Sequence, residues 1–572
     1  MQENRSPRAA RLRPGRRLRL GRRLRVGLAA WVGCLGLVGV RLIQVQVAEP
    51  AYVHYADSQV EQTVTVNPLR GPILDRNGQI LATSLPVMDI YADPKEVRHP
   101  EAEASLLGRI LHLAQASLLR ELELPTTFVY LAHYVNLQVA SEIQSQASNL
   151  PGIGELPDSE RFAPNGNLAL GVLGFTGYGG QGLAGLEYQY NKLLSGKPGL
   201  EVVPTDPAGF EMPGRIRVLR KPVPGIGLKL SLDTAIQYET EKALGQEILA
   251  DKAIRGWAEI EDVHTGQILA MASLVRHGNT VVEDTENLPV TYAYEPGSMM
   301  KIATFAGALT DHIITPDTVL DVPSHLILGG AYFSDAEPHG NIHLTATQII
   351  ARSSNVGTIE IAERLGPQRL VSWFSRLGFG EPTGLIFPGE SYGVMLPLSQ
   401  WSGSSIGSTP IGMQDAVTAQ QMLDAYVAVA NGGLFVNPRL VIGFVEPDGR
   451  VLGLPPSSPR RVMPSWAAEE LTRMLEHVAT PQGTAPAAAI PGYLVAGKTG
   501  TANKLSPKGG YVPGEYIASF VGFVPAQRPA IAAIVAIDDP TNSYGGLAAA
   551  PTFSRICRYA LQVLKIAPPP GS

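Results

Sequence analysis

The hydrophobic pattern of this chain changes period several times, and each change marks an element. Residues 26–40 carry no charge, and residues 42–48 continue the apolar run beyond Arg41. This pattern predicts a membrane helix over residues 26–47. Its uncharged core is shorter than the roughly 20 residues of a full span, so Arg25 and Arg41 are expected to reach towards head groups. Residues 49–95 alternate polar and apolar positions, as at Val60, Thr63, Val64, Thr65 and Val66, which predicts strands. Asn77-Gly78 predicts a hairpin turn. Residues 102–121 and 137–147 show helical periodicity. Pro222, Pro224, Gly225 and Gly227 mark a boundary. Beyond it, residues 228–232 read as a strand and 234–249 as a long helix. Residues 257–263 and 267–273 read as strands paired through the turn His264-Thr265-Gly266.

Length and composition fit this layout. With 572 residues, 45% of them apolar, the chain suits two or three domains with real cores, and 60 Gly and 46 Pro indicate many turns. The net charge of −5 is uneven. Residues 1–25 hold ten Arg and one acid, a charge of +9, which leaves −14 on the rest. Arginines ahead of an apolar segment place the N-terminus in the cytoplasm and the remainder outside. The rival reading is a cleaved signal peptide, since a 15-residue apolar core fits one, but Gln46-Val47-Ala48 is a poor cleavage site. Nucleic-acid binding is disfavoured, because no aromatic residue interrupts the basic tail before Trp31. Cys34 lies in the apolar segment and Cys557 near the C-terminus, so neither a disulfide nor thiol chemistry is expected.

The candidate chemistry begins at Tyr294-Glu295-Pro296-Gly297-Ser298-Met299-Met300-Lys301. Pro and Gly followed by Ser and an apolar run predict a helix with Ser298 as its N-cap. Lys301 then shares a face with Ser298 about 4.5 Å along the axis. A desolvated amine beside other cations loses proton affinity, so Lys301 could serve Ser298 as a base. Such a pair is common by chance in exposed helices. Two further motifs change its weight: Ser353-Ser354-Asn355 and Lys498-Thr499-Gly500-Thr501. Ser-x-x-Lys, Ser-x-Asn and Lys-Thr-Gly in this order form the signature set of serine penicillin-recognising enzymes. Taken singly, Lys301 could be a solvated lysine, Ser353 an N-cap for the helix running to Leu365, and Lys498-Thr499-Gly500 an ordinary turn.

Two other patterns are set aside. Gly177-Tyr178-Gly179-Gly180-Gln181-Gly182 matches a dinucleotide fingerprint, but only one such unit is visible and it falls on the exported side. His339 and His343, near Asp335 and Glu337, invite a zinc reading. The intervening Gly340 and Asn341 argue for a loop, and no third His or Cys lies nearby. Neither a metal nor a cofactor is expected.

On these motifs the chain resembles the class B penicillin-binding proteins, monofunctional peptidoglycan D,D-transpeptidases, and within them the FtsI type of cell division. Further stretches carry the likeness: residues 70–78 (RGPILDRNG), Gly185-Leu186-Glu187 with Gly196 and Gly199, residues 230–237 (LSLDTAIQ), 265–273 (TGQILAMAS), 425–433 (AYVAVANGG) and 544–551 (YGGLAAAP). Two departures stand out. Residues 274–293 are short for the family and lack its Phe-Asp-Pro-Asn, and the turn Gly412-Met413-Gln414-Asp415 has one glycine fewer than expected.

The resemblance implies an α+β multidomain fold. It comprises a basic cytoplasmic tail (1–25), a single transmembrane helix (26–47), an elongated mixed pedestal domain (48–225) and a β-lactamase-like transpeptidase domain (226–566). That last domain would be an antiparallel sheet flanked by helices, followed by a Pro-rich tail (567–572). The resemblance also assigns roles. Ser298 would be acylated by a stem peptide ending in D-alanyl-D-alanine, Lys301 would accept its proton, and Ser353, bridging Lys301 and Lys498, would relay a proton towards the leaving amine. Asn355 would bind Lys301 and substrate, and Lys498, Thr499 and Thr501 would bind the terminal carboxylate. Gly500 would leave room for substrate to lie along a strand edge, and the N–H groups of Ser298 and Thr501 would form the oxyanion hole. β-Lactams would be covalent inhibitors, and an integral-membrane SEDS glycosyltransferase and other division proteins would be partners. The alternatives are an elongation-type transpeptidase, a D,D-carboxypeptidase or β-lactamase, and a silent β-lactam sensor. Glu295 before Pro-Gly-Ser and the Asn of Ser353-Ser354-Asn355 favour division. The long anchored N-terminal region favours a synthase.

Overall fold

The computed structural model describes residues 17–44, 61–204, 217–506 and 509–569. Most of the expected basic tail (1–16), residues 45–60 and the end of the Pro-rich tail (570–572) lie outside them. The chain divides into two compact units, Met1–Asn67 with Pro198–Pro222, and Pro68–Lys197 with Val223–Ser572.

The first unit contains the helix Arg17–Ile43, within which Arg22–Ile43 is long and apolar enough to cross a membrane. It starts ahead of the expected residue 26 because Arg and Leu are good helix formers, and the expected end at residue 47 lies outside the described residues. This unit also holds an antiparallel three-stranded sheet with Gly199–Pro204 between Glu61–Val66 and Arg217–Arg220.

In the second unit the strand Ile80–Ala92 pairs with Val129–Asn136 on one side and Ile153–Phe162 on the other. Helices Pro100–Leu111, Gln115–Leu122 and Leu137–Ser145 bury Leu107, Leu118, Leu122 and Ile143 against Ile90 and Ala92. The single helix expected over residues 102–121 is two. His112 adopts a left-handed conformation (φ 55°), and its N–H closes on the Gly108 carbonyl. The helical stretch after the Gly-rich turn is likewise divided, into Gly185–Gln189 and Asn191–Leu194.

The expected hairpin forms. Asp75 Oδ1 accepts from the N–H of Asn77 and of Gln79, and Ile73–Leu74 pairs antiparallel with Ile80–Ala92. Ile73–Leu74 also pairs in parallel with Gly227–Leu230, which in turn pairs with Val441–Val445. Backbone ladders therefore cross the Pro/Gly boundary. Nearby, the buried Glu187 binds two arginines. Arg70 Nε donates to one carboxylate oxygen, and Arg161 Nε donates to the other at 2.7 Å. Arg70 also reaches the carbonyl of Gly180 (3.0 Å) and Asn191 Oδ1 (2.8 Å). The glycine-rich turn thus serves as a backbone acceptor for Arg70.

The C-terminal part of the second unit is built from α1 (Thr234–Ala250), β1 (Arg255–Asp262), β2 (Ile268–His277), β3 (Thr280–Glu283), α2 (Lys301–Thr310), α3 (Ala346–Arg352), α4 (Asn355–Leu365), α5 (Ala419–Ala430), β4 (Ala496–Leu505), β5 (Tyr511–Val524), β6 (Ile531–Asp538) and α6 (Ala550–Val563). The strands form one antiparallel sheet in the order β3-β2-β1-β6-β5-β4. Helices α1 and α6 cover one face, burying Ile236, Leu244 and Phe553 against Ala258, Ile260 and Val535. On the other face Trp257, Ile534 and Ala536 meet Met422 and Tyr426 of α5 and Phe305 of α2. Asp233 caps α1, accepting from the N–H groups of Ala235 and Ile236. Helix α2 is apolar nearly all round, and its first nine residues are buried. Such a helix runs through a domain rather than over it.

One prediction follows from the Arg70–Glu187–Arg161 cluster. Glu187→Gln leaves two buried guanidinium groups without a countercharge, a change of the kind that costs about 3–5 kcal/mol. Thermal unfolding should show a lower midpoint than wild type; an unchanged midpoint contradicts this role.

Candidate active site

The turn that carries Ser298 is held by close backbone contacts. Gly297–Met300 is a 3₁₀ turn entered through Gly297 at φ 55°. The Gly297 N–H donates to the Gly412 carbonyl at 3.2 Å. A Cβ at Gly412 would lie 2.0 Å from the Gly297 oxygen, and one at Gly297 would lie 2.7 Å from the Thr501 oxygen. Glycine at both positions therefore lets three backbone segments meet. Behind the turn, the Tyr426 hydroxyl donates to the Met299 carbonyl at 3.1 Å, and both Met299 and Met300 lie in the core. Ser298 does not cap the helix as the sequence suggested: the first turn is wound as 3₁₀ and has no side-chain cap, and Ser298 stays partly exposed.

Lys301 is 0% exposed. Its Nζ donates to the Ser353 carbonyl at 2.6 Å, to Asn355 Oδ1 at 2.8 Å and to Ser353 Oγ at 3.2 Å. Burial pushes its pKa down to about 7 against the opposing pull of Asp335. No hydrogen bond joins Lys301 to the Ser298 hydroxyl among the described residues.

Ser353 ends α3 in a left-handed conformation, φ 60°. A non-glycine residue held there is strained, and such strain concentrates at functional sites. This conformation turns its carbonyl to Lys301. The N-cap of α4 is Ser354, whose Oγ accepts from the Gly357 N–H at 3.0 Å, so the bland reading of Ser353 as that cap does not hold. Asn355 is oriented by its amide Nδ2, which donates to the Ser334 carbonyl at 3.0 Å and leaves the oxygen for Lys301. Asp335 Oδ1 accepts from the Val356 N–H at 2.9 Å, fixing the first turn of α4. Its other oxygen meets His339 Nε2 at 3.0 Å, whereas His343 pairs with Asp321. The two histidines thus serve different carboxylates. No group of three candidate metal ligands occurs among the described residues.

Lys498 is also 0% exposed. Its Nζ lies 3.2 Å from Thr499 Oγ1 and 3.4 Å from the Thr499 carbonyl. Burial lowers its pKa well below the usual lysine range, and the neighbouring Lys301 lowers it further. Thr499 and Thr484 hydroxyls are 3.0 Å apart, and Thr501 Oγ1 accepts from the Gly545 N–H at 3.3 Å. A Cβ at Gly500 would lie 2.4 Å from Ser519 Oγ and 2.8 Å from the Pro296 oxygen. These residues stand on β4, an edge strand of the sheet.

Several contacts escaped the sequence reading. Glu295 accepts from the Gln414 N–H at 2.9 Å and from the Tyr511 hydroxyl at 3.0 Å, linking the serine turn to the Gly412 loop and to the start of β5. Gln414 has φ 74°, the conformation that a further glycine would have supplied. The missing glycine was the only signal of this contact. Asp335 stood out in the sequence only as part of a metal candidate.

The model of the penicillin-binding protein transpeptidase domain matches residues 256–558, and that of the penicillin-binding protein dimerisation domain matches residues 65–230. The chain is 33% identical to penicillin-binding protein PbpB of Mycobacterium tuberculosis, over 90% of this chain and 81% of that one. It is also 33% identical to peptidoglycan D,D-transpeptidase FtsI of Escherichia coli, over 92% and 89%. Stage V sporulation protein D of Bacillus subtilis is 31% identical, over 88% and 79%. Among solved structures, penicillin binding protein 3 from M. tuberculosis superposes with a TM-score of 0.69 at 29% identity, covering 89% of this chain and 98% of that one. That protein has also been crystallised with aztreonam and with ampicillin. With family models and relatives spanning most of its length, the chain belongs to the penicillin-binding protein transpeptidases.

Proposed function

We propose that the protein is a serine-type peptidoglycan D,D-transpeptidase that works through a Ser298 acyl-enzyme. The observation that carries this reading is Lys301, fully buried three residues beyond Ser298, bound to Ser353 and Asn355 and with a pKa near 7. Ser298 Oγ attacks the carbonyl of the penultimate D-alanine, and its proton passes to neutral Lys301. Ser353 passes a proton on to the departing D-alanine nitrogen, with Lys498 on the far side. The N–H groups of Ser298 and Thr501 stabilise the oxyanion; losing one such donor typically lowers the rate by about 10²–10³. Lys498, Thr499 and Thr501 bind the terminal carboxylate, and the free edge of β4 receives the peptide by strand addition. An acceptor amine nitrogen then attacks the ester carbonyl. The C–N bond forms, the bond to Ser298 Oγ breaks, and the proton lost by nitrogen returns to Oγ.

The N-terminal helix anchors the chain with its N-terminus in the cytoplasm and the catalytic part outside. Residues 48–225 form the pedestal and 226–566 the transpeptidase domain. The motif pattern and the likeness to FtsI support a role in septal wall synthesis beside a SEDS-type glycosyltransferase.

Two experiments test the chemistry and one the location. A fluorescent penicillin should label wild type covalently and leave Ser298→Ala unlabelled; equal labelling of both refutes the nucleophile. The acylation rate should follow the neutral fraction of Lys301. It should rise about tenfold per pH unit below 7 and level off above about 7. A rate that keeps climbing towards pH 10 contradicts the depressed pKa. A fluorescent fusion should gather at the division septum, and uniform lateral staining would count against the division role.

A further inference from the structure

The glycine-rich turn at residues 177–182 takes no part in the acylation chemistry. It carries Tyr178, 77% exposed, beside the strand Val129–Asn136, where the pairing with Ile80–Ala92 is bulged. Ile90 pairs with Ala132 and Met88 with Val135, so Asp89 alone stands opposite His133 and Tyr134. Asp89 is buried and serves both. Its Oδ1 accepts from the Tyr134 N–H at 3.0 Å, and its Oδ2 meets His133 Nδ1 at 2.8 Å. Tyr134 is left-handed, φ 57°, a strained conformation for a bulky side chain and one that concentrates at functional sites. Its hydroxyl donates to the Tyr178 carbonyl at 3.1 Å.

In a regular strand Tyr130 and His133 would face opposite sides. Here their rings are 4.5 Å apart, and six rings form one row. Tyr91 stacks on Phe128 (5.1 Å), and Phe128 meets Tyr130 edge-on (4.8 Å). Beyond His133 come Tyr178, at 5.7 Å, and Tyr134, stacked on Tyr178 at 5.9 Å. Phe128, Tyr130, His133 and Tyr178 are exposed. Asp158 and Glu160, on the strand Ile153–Phe162, border the row at Tyr134; with Asp89 they help to raise the pKa of its phenol, after the larger effect of burial. Flat rings bordered by carboxylates suit a chain of sugar units. The C–H groups of a sugar face rest on the electron-rich ring faces, and its hydroxyls donate to the carboxylates. A single cation would use one ring and one carboxylate, and six rings in line exceed that need.

We propose that this aromatic row is a second binding site, which holds the sugar backbone of a peptidoglycan strand and shares no residue with the groups that act on its peptides. Phe128, Tyr130 and Tyr178 provide the exposed platforms for successive sugars. Asp89 and the bulge fix His133 and Tyr134 so that the row continues without a gap to the glycine-rich turn. The glycines of that turn let Tyr178 stand out from the surface: Gly180 has φ 71°, and its N–H closes on the Gly177 carbonyl at 2.9 Å. The assignment goes beyond the transpeptidase reading and takes from it only the identity of the polymer.

The test uses the full chain in detergent and peptidoglycan strands stripped of their peptides by an amidase, carrying a fluorophore at the reducing end. Such strands offer Ser298 nothing to attack, so fluorescence anisotropy reads binding alone. Wild type should bind them. The double variant Tyr130→Ala/Tyr178→Ala should bind roughly tenfold more weakly, the effect of losing two ring faces. Tyr130→Trp/Tyr178→Trp should bind as well as wild type, because any aromatic face serves. Both variants should label with penicillin as wild type does, since the two side chains are exposed and lie outside the catalytic groups. Absence of wild-type binding, or an unchanged Kd in the alanine variant, overturns the proposal. So does a variant that loses binding of oligolysine while its glycan affinity stays at the wild-type level, which assigns the row to a cationic peptide. Failure of wild type to label with penicillin would instead sink the transpeptidase reading, whatever the anisotropy shows.

Discussion

The site depends on one amine kept out of water. Lys301 reaches its place because α2 is buried nearly all round, and an ammonium in that position is costly unless its protons are bonded. The Ser353 carbonyl, Ser353 Oγ and Asn355 Oδ1 provide those bonds. Each acceptor is fixed in turn: Ser353 by its left-handed backbone, Asn355 by the Ser334 carbonyl, and the turn beneath it by Asp335. The balance leaves the amine close to neutrality, able both to take and to return a proton. Lys498, buried alongside, opposes a second charge.

The same economy shapes the backbone around Ser298. Its turn touches the Gly412 loop on one side and Thr501 of β4 on the other, so nucleophile and strand edge are set by main-chain contact rather than by flexible side chains. Glu295 joins the arrangement to the β4–β5 hairpin through Tyr511. Small displacements in any of these loops would move Ser298 relative to the groups that serve it.

The sequence carried much of this. The three motifs were legible because the chemistry needs particular side chains at fixed local spacing, and the strand and helix periods around them were clear. The antiparallel sheet flanked by helices follows the expected class. What stayed hidden depends on contacts between distant segments. Arg70 and Glu187 were noted as separate family elements, and only the fold shows that they are one ion pair. Glu295, Tyr511 and Gln414 come together from segments far apart in the chain, which no periodicity encodes. Local rules misled where the backbone took a tight path. Ser298 has the residue type of an N-cap but sits in a 3₁₀ turn, and the helix at residues 102–121 breaks at His112, where the chain folds back on Gly108. The Pro/Gly boundary near residue 225 was real in composition, yet Gly227–Leu230 pairs back across it to Ile73–Leu74.

The central claim is the protonation state of Lys301, and it can be read directly. With nitrogen-15 in the lysine side chains, NMR titration of the Lys301 Nζ signal, assigned by its loss in Lys301→Arg, should give a midpoint near 7. A midpoint near 10, the range of a solvated lysine, would contradict the account.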